Sequence, residues 1–107
     1  MSAELQPSLK AELKFLATED GGRKTPVSSG YRPQFYYAGK DWDAAHSYDI
    51  DWVYPGDTVL VTLAFFRTQN HVGQLYSGMP FAIREGPRTV ANGHILKVLD
   101  PTLDRDA

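Results

Sequence analysis

Tyr54-Pro55-Gly56-Asp57-Thr58-Val59-Leu60-Val61-Thr62-Leu63-Ala64-Phe65-Phe66 reads as a tight turn running straight into a strand. Pro55 presets a turn backbone, and Gly56 supplies the positive φ that many turns need. Beyond the turn, Val59, Val61, Leu63 and Phe65 alternate with Leu60, Thr62, Ala64 and Phe66. Both rows are largely apolar, which predicts a strand partly buried on its two sides. A β-branched and aromatic run of this kind places the chain in an all-β class.

Working outward, the same punctuation recurs. Lys10 to Thr18 alternates, with Leu13, Phe15 and Ala17 on one side, and ends at Glu19-Asp20-Gly21-Gly22, a turn. Residues 31–37 predict a second strand, with Tyr31, Pro33, Phe35 and Tyr37 on one face and Arg32, Gln34 and Tyr36 on the other. Pro33 cannot donate to a ladder, so it marks an edge or an entry point. A third strand is expected over 47–54, where Tyr48, Ile50, Trp52 and Tyr54 interleave with Asp49, Asp51 and Val53. Arg67 to Gly78 reads as a polar loop, Pro80 to Glu85 as a strand, and Gly86-Pro87 as a turn. Thr89 to Leu99 reads as a closing strand interrupted at Asn92-Gly93. Helical periodicity with caps is absent, and short strands separated by turns predict a barrel or sandwich.

The 107 residues suit one domain with one core. Residues 1–10 and 100–107, outside Pro7 and Pro101, are expected as tails around a domain spanning 11–99. With no cysteine there is no disulfide, thiolate metal site or cysteine nucleophile, which fits a reducing, cytoplasmic setting. The start carries no basic region followed by an apolar run. No stretch reaches the ~18 apolar residues that cross a bilayer. The formal net charge of −2 conceals segregation: residues 41–60 hold Asp41, Asp43, Asp49, Asp51 and Asp57 with no Lys or Arg. The segments on either side are net basic, so a local basic patch is open although bulk charge gives no nucleic-acid signal. His46, His71 and His94 lack metal-site spacing, and Thr25, Ser28 and Ser29 have no adjacent His–Asp arrangement. No cofactor is implied.

Four blocks carry a family resemblance: Asp20-Gly21-Gly22-Arg23-Lys24-Thr25-Pro26, Gly30-Tyr31-Arg32-Pro33-Gln34-Phe35-Tyr36, Pro55-Gly56-Asp57, and Phe81-Ala82-Ile83-Arg84-Glu85-Gly86-Pro87-Arg88-Thr89-Val90. In order and spacing they resemble the C-terminal, third domain of translation elongation factor Tu, over roughly residues 11–99. The resemblance implies a closed, six-stranded antiparallel β-barrel without catalysis, here standing alone. In that family the domain holds the T-stem side of aminoacyl-tRNA, packs on the GTPase domain and meets the nucleotide exchange factor. By position it implies Arg23, Gln34, Arg84, Glu85 and Gly86 near an RNA backbone, with Lys24 and Arg88 adding charge to the same face. Arg clamps phosphate, Gln donates to phosphate or ribose, and glycine admits a close backbone. An RNA stem recognised through its backbone and 2′-hydroxyls needs little else.

Gly-Gly-Arg-Lys-Thr-Pro lacks the spacing and the helix of a phosphate loop, so no GTP binding by this chain is expected. The pattern departs from the family at Pro87, where a second glycine is usual, and at Asn92-Gly93. The 67–78 loop is longer, with Arg67 the candidate for the family's basic residue there, and the 38–52 stretch, with Trp42, His46 and Trp52, matches poorly. These departures keep a second expectation alive, a protein–protein module that uses the Trp42–Trp52 region and the 67–78 loop. A small-molecule or enzymatic barrel would need a concave interior.

Overall fold

The computed structural model describes residues 5–106. Six strands, β1 (Leu9–Phe15), β2 (Gln34–Tyr37), β3 (Lys40–Ser47), β4 (Thr58–Phe65), β5 (Pro80–Glu85) and β6 (Arg88–Val98), close into a barrel in the order β1-β4-β3-β2-β5-β6. Every neighbouring pair is antiparallel, and β6 closes on β1. Three single 3-10 turns are the helical elements among the described residues.

Period-two alternation fills the inside. Leu9, Ala11, Leu13 and Phe15 of β1 face Val59, Val61, Leu63 and Phe65 of β4, all buried. Phe35 stacks on Phe81 at 4.3 Å and meets Phe65 edge-on at 5.0 Å, so side chains occupy the centre. The second row of β4 divides: Thr62 and Ala64 are half-buried, whereas Leu60 is exposed.

The structure moves several expected boundaries. The strand predicted over 47–54 lies instead at Lys40–Ser47, with Trp42, Ala44 and His46 turned inward; Ile50, Trp52 and Tyr54 are exposed. In that arm only Val53 pairs, with Val27. The second strand begins at Gln34, because Pro33 brings no N–H to the ladder. Gly30 and Tyr31 pair instead with His46, through Gly30 N–H to His46 O and His46 N–H to Tyr31 O, each at 2.9 Å.

The closing strand runs unbroken through Asn92-Gly93. Gly93 lies so close to β1 that an added Cβ would sit 2.6 Å from Glu12 O, so the glycine admits a close approach and breaks nothing.

The chain ends differ too. Ser8 and Leu9 belong to the barrel: Ser8 Oγ accepts from Phe65 N–H at 3.1 Å, and Leu9 is fully buried. Residues 100–106 fold back, with a 3-10 turn at Pro101–Leu103 and a parallel bridge from Asp104 to Leu75. Leu103, the single large apolar residue there, is fully buried. Lys10 continues the first strand, residues 5–7 are exposed and precede it, and residues 1–4 and 107 of the expected tails lie outside the described residues.

Candidate functional site

The first connection rises from β1 through Gly21, whose φ of 94° turns the chain, to Gly22, packed against backbone. A Cβ on Gly22 would meet Leu16 O at 2.1 Å, so only glycine lets the loop lie this close. That approach delivers Arg23 to the barrel rim, where Thr18 Oγ donates to its carbonyl at 2.6 Å. At the far end of the chain, β5 and β6 join through Gly86, at φ 60°, and Pro87. Positive φ followed by proline is the pattern of a type II′ hairpin turn, which pairs Glu85 with Arg88.

Glu85 is the hub between these segments. Its Oε2 accepts from Arg23 Nη1 and from Tyr31 OH, and its Oε1 lies 3.9 Å from Arg88 Nη2. The Arg23 guanidinium lies 5.2 Å from the Tyr31 ring centre and donates through Nη2 to Thr25 Oγ at 3.0 Å. Burial first, and then the Glu85 carboxylate, push the Tyr31 phenol well above its ordinary pKa, so it stays a donor.

A second cluster lies on the outer face of β3, β2 and β5. Gln34 pairs in register with Arg84 on one side and Asp43 on the other. Arg84 covers the Tyr36 ring at 4.5 Å, and its Nε lies 3.7 Å from Asp41 Oδ1. Gln34 Oε1 and Arg84 Nε are both buried without a hydrogen-bond partner. Such groups cost free energy until something satisfies them.

The expected site residues therefore divide. Arg23, Glu85 and Arg88 come together directly, and Gly86 forms their turn. Gln34 and Arg84 form the adjacent cluster, which shares its face with two carboxylates. Lys24 is exposed and takes part in none of the ion pairs among the described residues. Tyr31 has its ring half-buried against the core and its hydroxyl at the rim as a donor to Glu85. The Asp41 and Asp43 contribution went unread because β3 was expected later in the chain.

Beyond the rim are two buried histidine–tyrosine pairs. His46 Nδ1 lies 2.6 Å from Tyr48 OH, and His71 Nδ1 lies 2.6 Å from Tyr37 OH, with the His71 ring stacked on Phe65 at 3.8 Å. Desolvation lowers both imidazoles, His46 to about 3 and His71 to about 4, so each is neutral at pH 7. Among the described residues no group of three His, Cys, Asp or Glu could hold a metal ion. No helix among them is long and apolar enough to cross a membrane.

The chain is thus a closed, six-stranded antiparallel barrel with a polar rim where its first connection meets its last hairpin. The model of the elongation factor Tu C-terminal domain family matches residues 2–99, and the chain belongs to that family.

Proposed function

We propose that the chain is a non-catalytic binding module of the translation machinery and that its rim meets the backbone of tRNA. Family membership over residues 2–99 is the observation that carries this reading. The rim chemistry supports it: Lys24 and Arg88 are exposed cations, and Arg88 approaches the same Glu85 carboxylate as Arg23. Recognition by charge and shape, without base reading, is what an RNA stem requires. The setting inferred is cytoplasmic. A GTPase domain or a nucleotide exchange factor of translation is the protein partner of the same reading, and GTP itself is not bound by this chain.

The test is a fluorescence titration with tRNA at two salt concentrations. Affinity is expected to fall steeply with salt as phosphate contacts release counterions. Arg23→Ala with Arg84→Ala, checked for folding by far-UV circular dichroism, weakens binding; unchanged affinity would sink the RNA reading.

One observation favours a second reading, a protein–protein module with a changed partner. Asp41 and Asp43 stand beside Gln34 and Arg84 and oppose phosphate on that half of the face. Half-buried Trp42 forms a wall of two adjoining clefts of about 270 and 280 Å³, which also involve Asn70 and other residues of the long loop. Recovery of a protein partner from native lysate without tRNA, lost on Trp42→Ala, would favour this reading.

A further inference from the structure

Trp52 stands in the arm that leaves the barrel after β3. Two backbone hydrogen bonds tie that arm down, Val27 N–H to Val53 O at 2.9 Å and Val53 N–H to Val27 O at 2.8 Å, and both valines are buried. Neighbours along an extended chain point to opposite sides, so burying Val53 turns the Trp52 indole outward, 53% exposed. There it borders a cleft of about 340 Å³ together with Arg23, Ser28, Ser29, Gly30 and Tyr31. Arg23 thus belongs to two places: it pairs with Glu85 on the rim, and it lines this cleft.

The lining has hydrogen-bonding capacity to spare. Arg23 engages three of its five guanidinium N–H groups, Nε with Thr25 O, Nη2 with Thr25 Oγ and Nη1 with Glu85 Oε2. Those bonds fix the guanidinium and leave one N–H on each terminal nitrogen. The Ser28 hydroxyl and the N–H groups of Ser28 and Ser29 make no hydrogen bond among the described residues. Gly30, at φ 100°, has open space where a Cβ would stand, so the backbone there is bare. The cleft beside Arg67 includes Asp41 and Asp43, and the cleft beside Arg32 includes Asp43; no carboxylate lines this one. An aromatic plate beside a fixed cation and unspent donors can hold a base by its face and a phosphate by its oxygens.

We infer that this cleft takes an unpaired nucleotide of RNA, its base stacked on Trp52 and its phosphate held by Arg23. A base inside a duplex has its faces covered by its neighbours, so the stem that meets the rim cannot supply it. A single-stranded extension or a bulged residue beside that stem can. The inference rests on the RNA reading of the rim, through Arg23, and adds to it a preference for single-stranded RNA next to the stem. Every base has a π-face, so the cleft reads strandedness and not sequence.

Fluorescence anisotropy of the full chain with two labelled RNA hairpins tests the proposal. The hairpins share one stem; one is blunt, and the other carries a short single-stranded extension. Wild type is expected to bind the extended hairpin more tightly. Trp52→Ala should weaken that hairpin by about five- to a hundredfold, the worth of one stacked base, and leave the blunt one unchanged. Trp52→Phe keeps an aromatic face and should recover most of the loss, which separates stacking from a disturbed fold; thermal melting of both variants should lie near the wild-type value. An extension that brings wild type no gain overturns the proposal while binding of the blunt hairpin still upholds the rim reading. A gain that survives Trp52→Ala overturns it too. An extended hairpin held through Trp52 beside a blunt one that does not bind upholds the cleft and removes the stem from the rim. Binding of neither hairpin overturns both.

Discussion

Two junctions between distant loops stand on this barrel, and they are held in opposite ways. At the rim, the 21–31 connection meets the 85–88 hairpin through Arg23, Tyr31, Glu85 and Arg88, all polar and partly open to water. At the other junction, the 72–78 loop meets residues 100–105 through a short parallel ladder. Gly73 N–H reaches Thr102 O at 3.0 Å, Leu75 N–H reaches Leu103 O at 2.9 Å, and Arg105 N–H reaches Leu75 O at 2.7 Å. Leu75 and Leu103 are fully buried there, and Arg105 lies 3.9 Å from the centre of the Tyr76 ring. Magnitudes separate the two. A fully buried leucine is worth several times a half-open ion pair, whose net contribution is ~0–1 kcal/mol after screening. Of the two junctions the apolar one contributes more to stability, and its Leu103 lies beyond the matched residues 2–99, while the rim keeps its charges near water.

The most forceful way to break this contrast is to empty the apolar junction. Leu103→Ala is expected to cost about 2–5 kcal/mol, because it deletes buried methyl groups and leaves a cavity. Urea unfolding reads the loss. A cost below about 1 kcal/mol would show residues 100–106 to be a decoration on the barrel.

Acid probes what the two regions share, since each is backed by a buried histidine. His46 pairs through Gly30 and Tyr31 with the rim loop, and His71, within the 67–78 loop, stacks inward on Phe65. For His46 the folded pKa of about 3 is below the ordinary value of 6.5, so the unfolded chain binds the proton more readily. Its contribution is complete above pH 6.5 and is lost as pH falls towards the folded value, at ~1.4 kcal/mol per pH unit. Nothing inside offers relief: Nδ1 faces Tyr48 OH, Nε2 is buried without a partner, and the adjacent ring is Tyr31. Urea midpoints at pH 7, 6 and 5 should descend, and His46→Gln should flatten the descent.

The contrast also explains what could be read from residues alone. The β4 strand announces itself because its pattern is local, and so does β5. Lys40–Ser47 did not, because Asp41-Trp42-Asp43 and Asp49-Ile50-Asp51-Trp52 carry the same acid–apolar alternation. Only the first has Ala44 and His46 in register with Phe65 and Leu63, a choice made by a distant strand. Residues 100–106 hide for a related reason: one leucine in a polar run has no period, and its pocket is built elsewhere. The rim was half legible. Arg23, Glu85 and Arg88 stood out through the family resemblance, but no local rule says that residues 23 and 85 share an ion pair, or that Tyr31 joins them.

A gentler probe targets the charged junction. A double-mutant cycle with Arg23→Met and Glu85→Gln should give a coupling of about 0.2–1 kcal/mol, with the partial exposure of both side chains holding it down. A coupling several times larger, read from urea unfolding of the four proteins, would erase the distinction between a junction held by burial and one held by charge.

The smallest effect on stability is expected at Lys24, where binding and folding separate most cleanly. Its side chain is exposed and makes no ion pair among those of the described residues, so Lys24→Ala should leave the unfolding free energy within about 0.5 kcal/mol. A cation that does nothing for the fold is free to serve a partner. If it neutralises one phosphate, the slope of log K against log salt for tRNA should shrink by about 1, with affinity lowered uniformly across tRNA sequences. An unchanged slope would leave Lys24 as solvated surface and shift the weight of the RNA reading onto Arg23 and Arg88, which cannot be removed without disturbing Glu85.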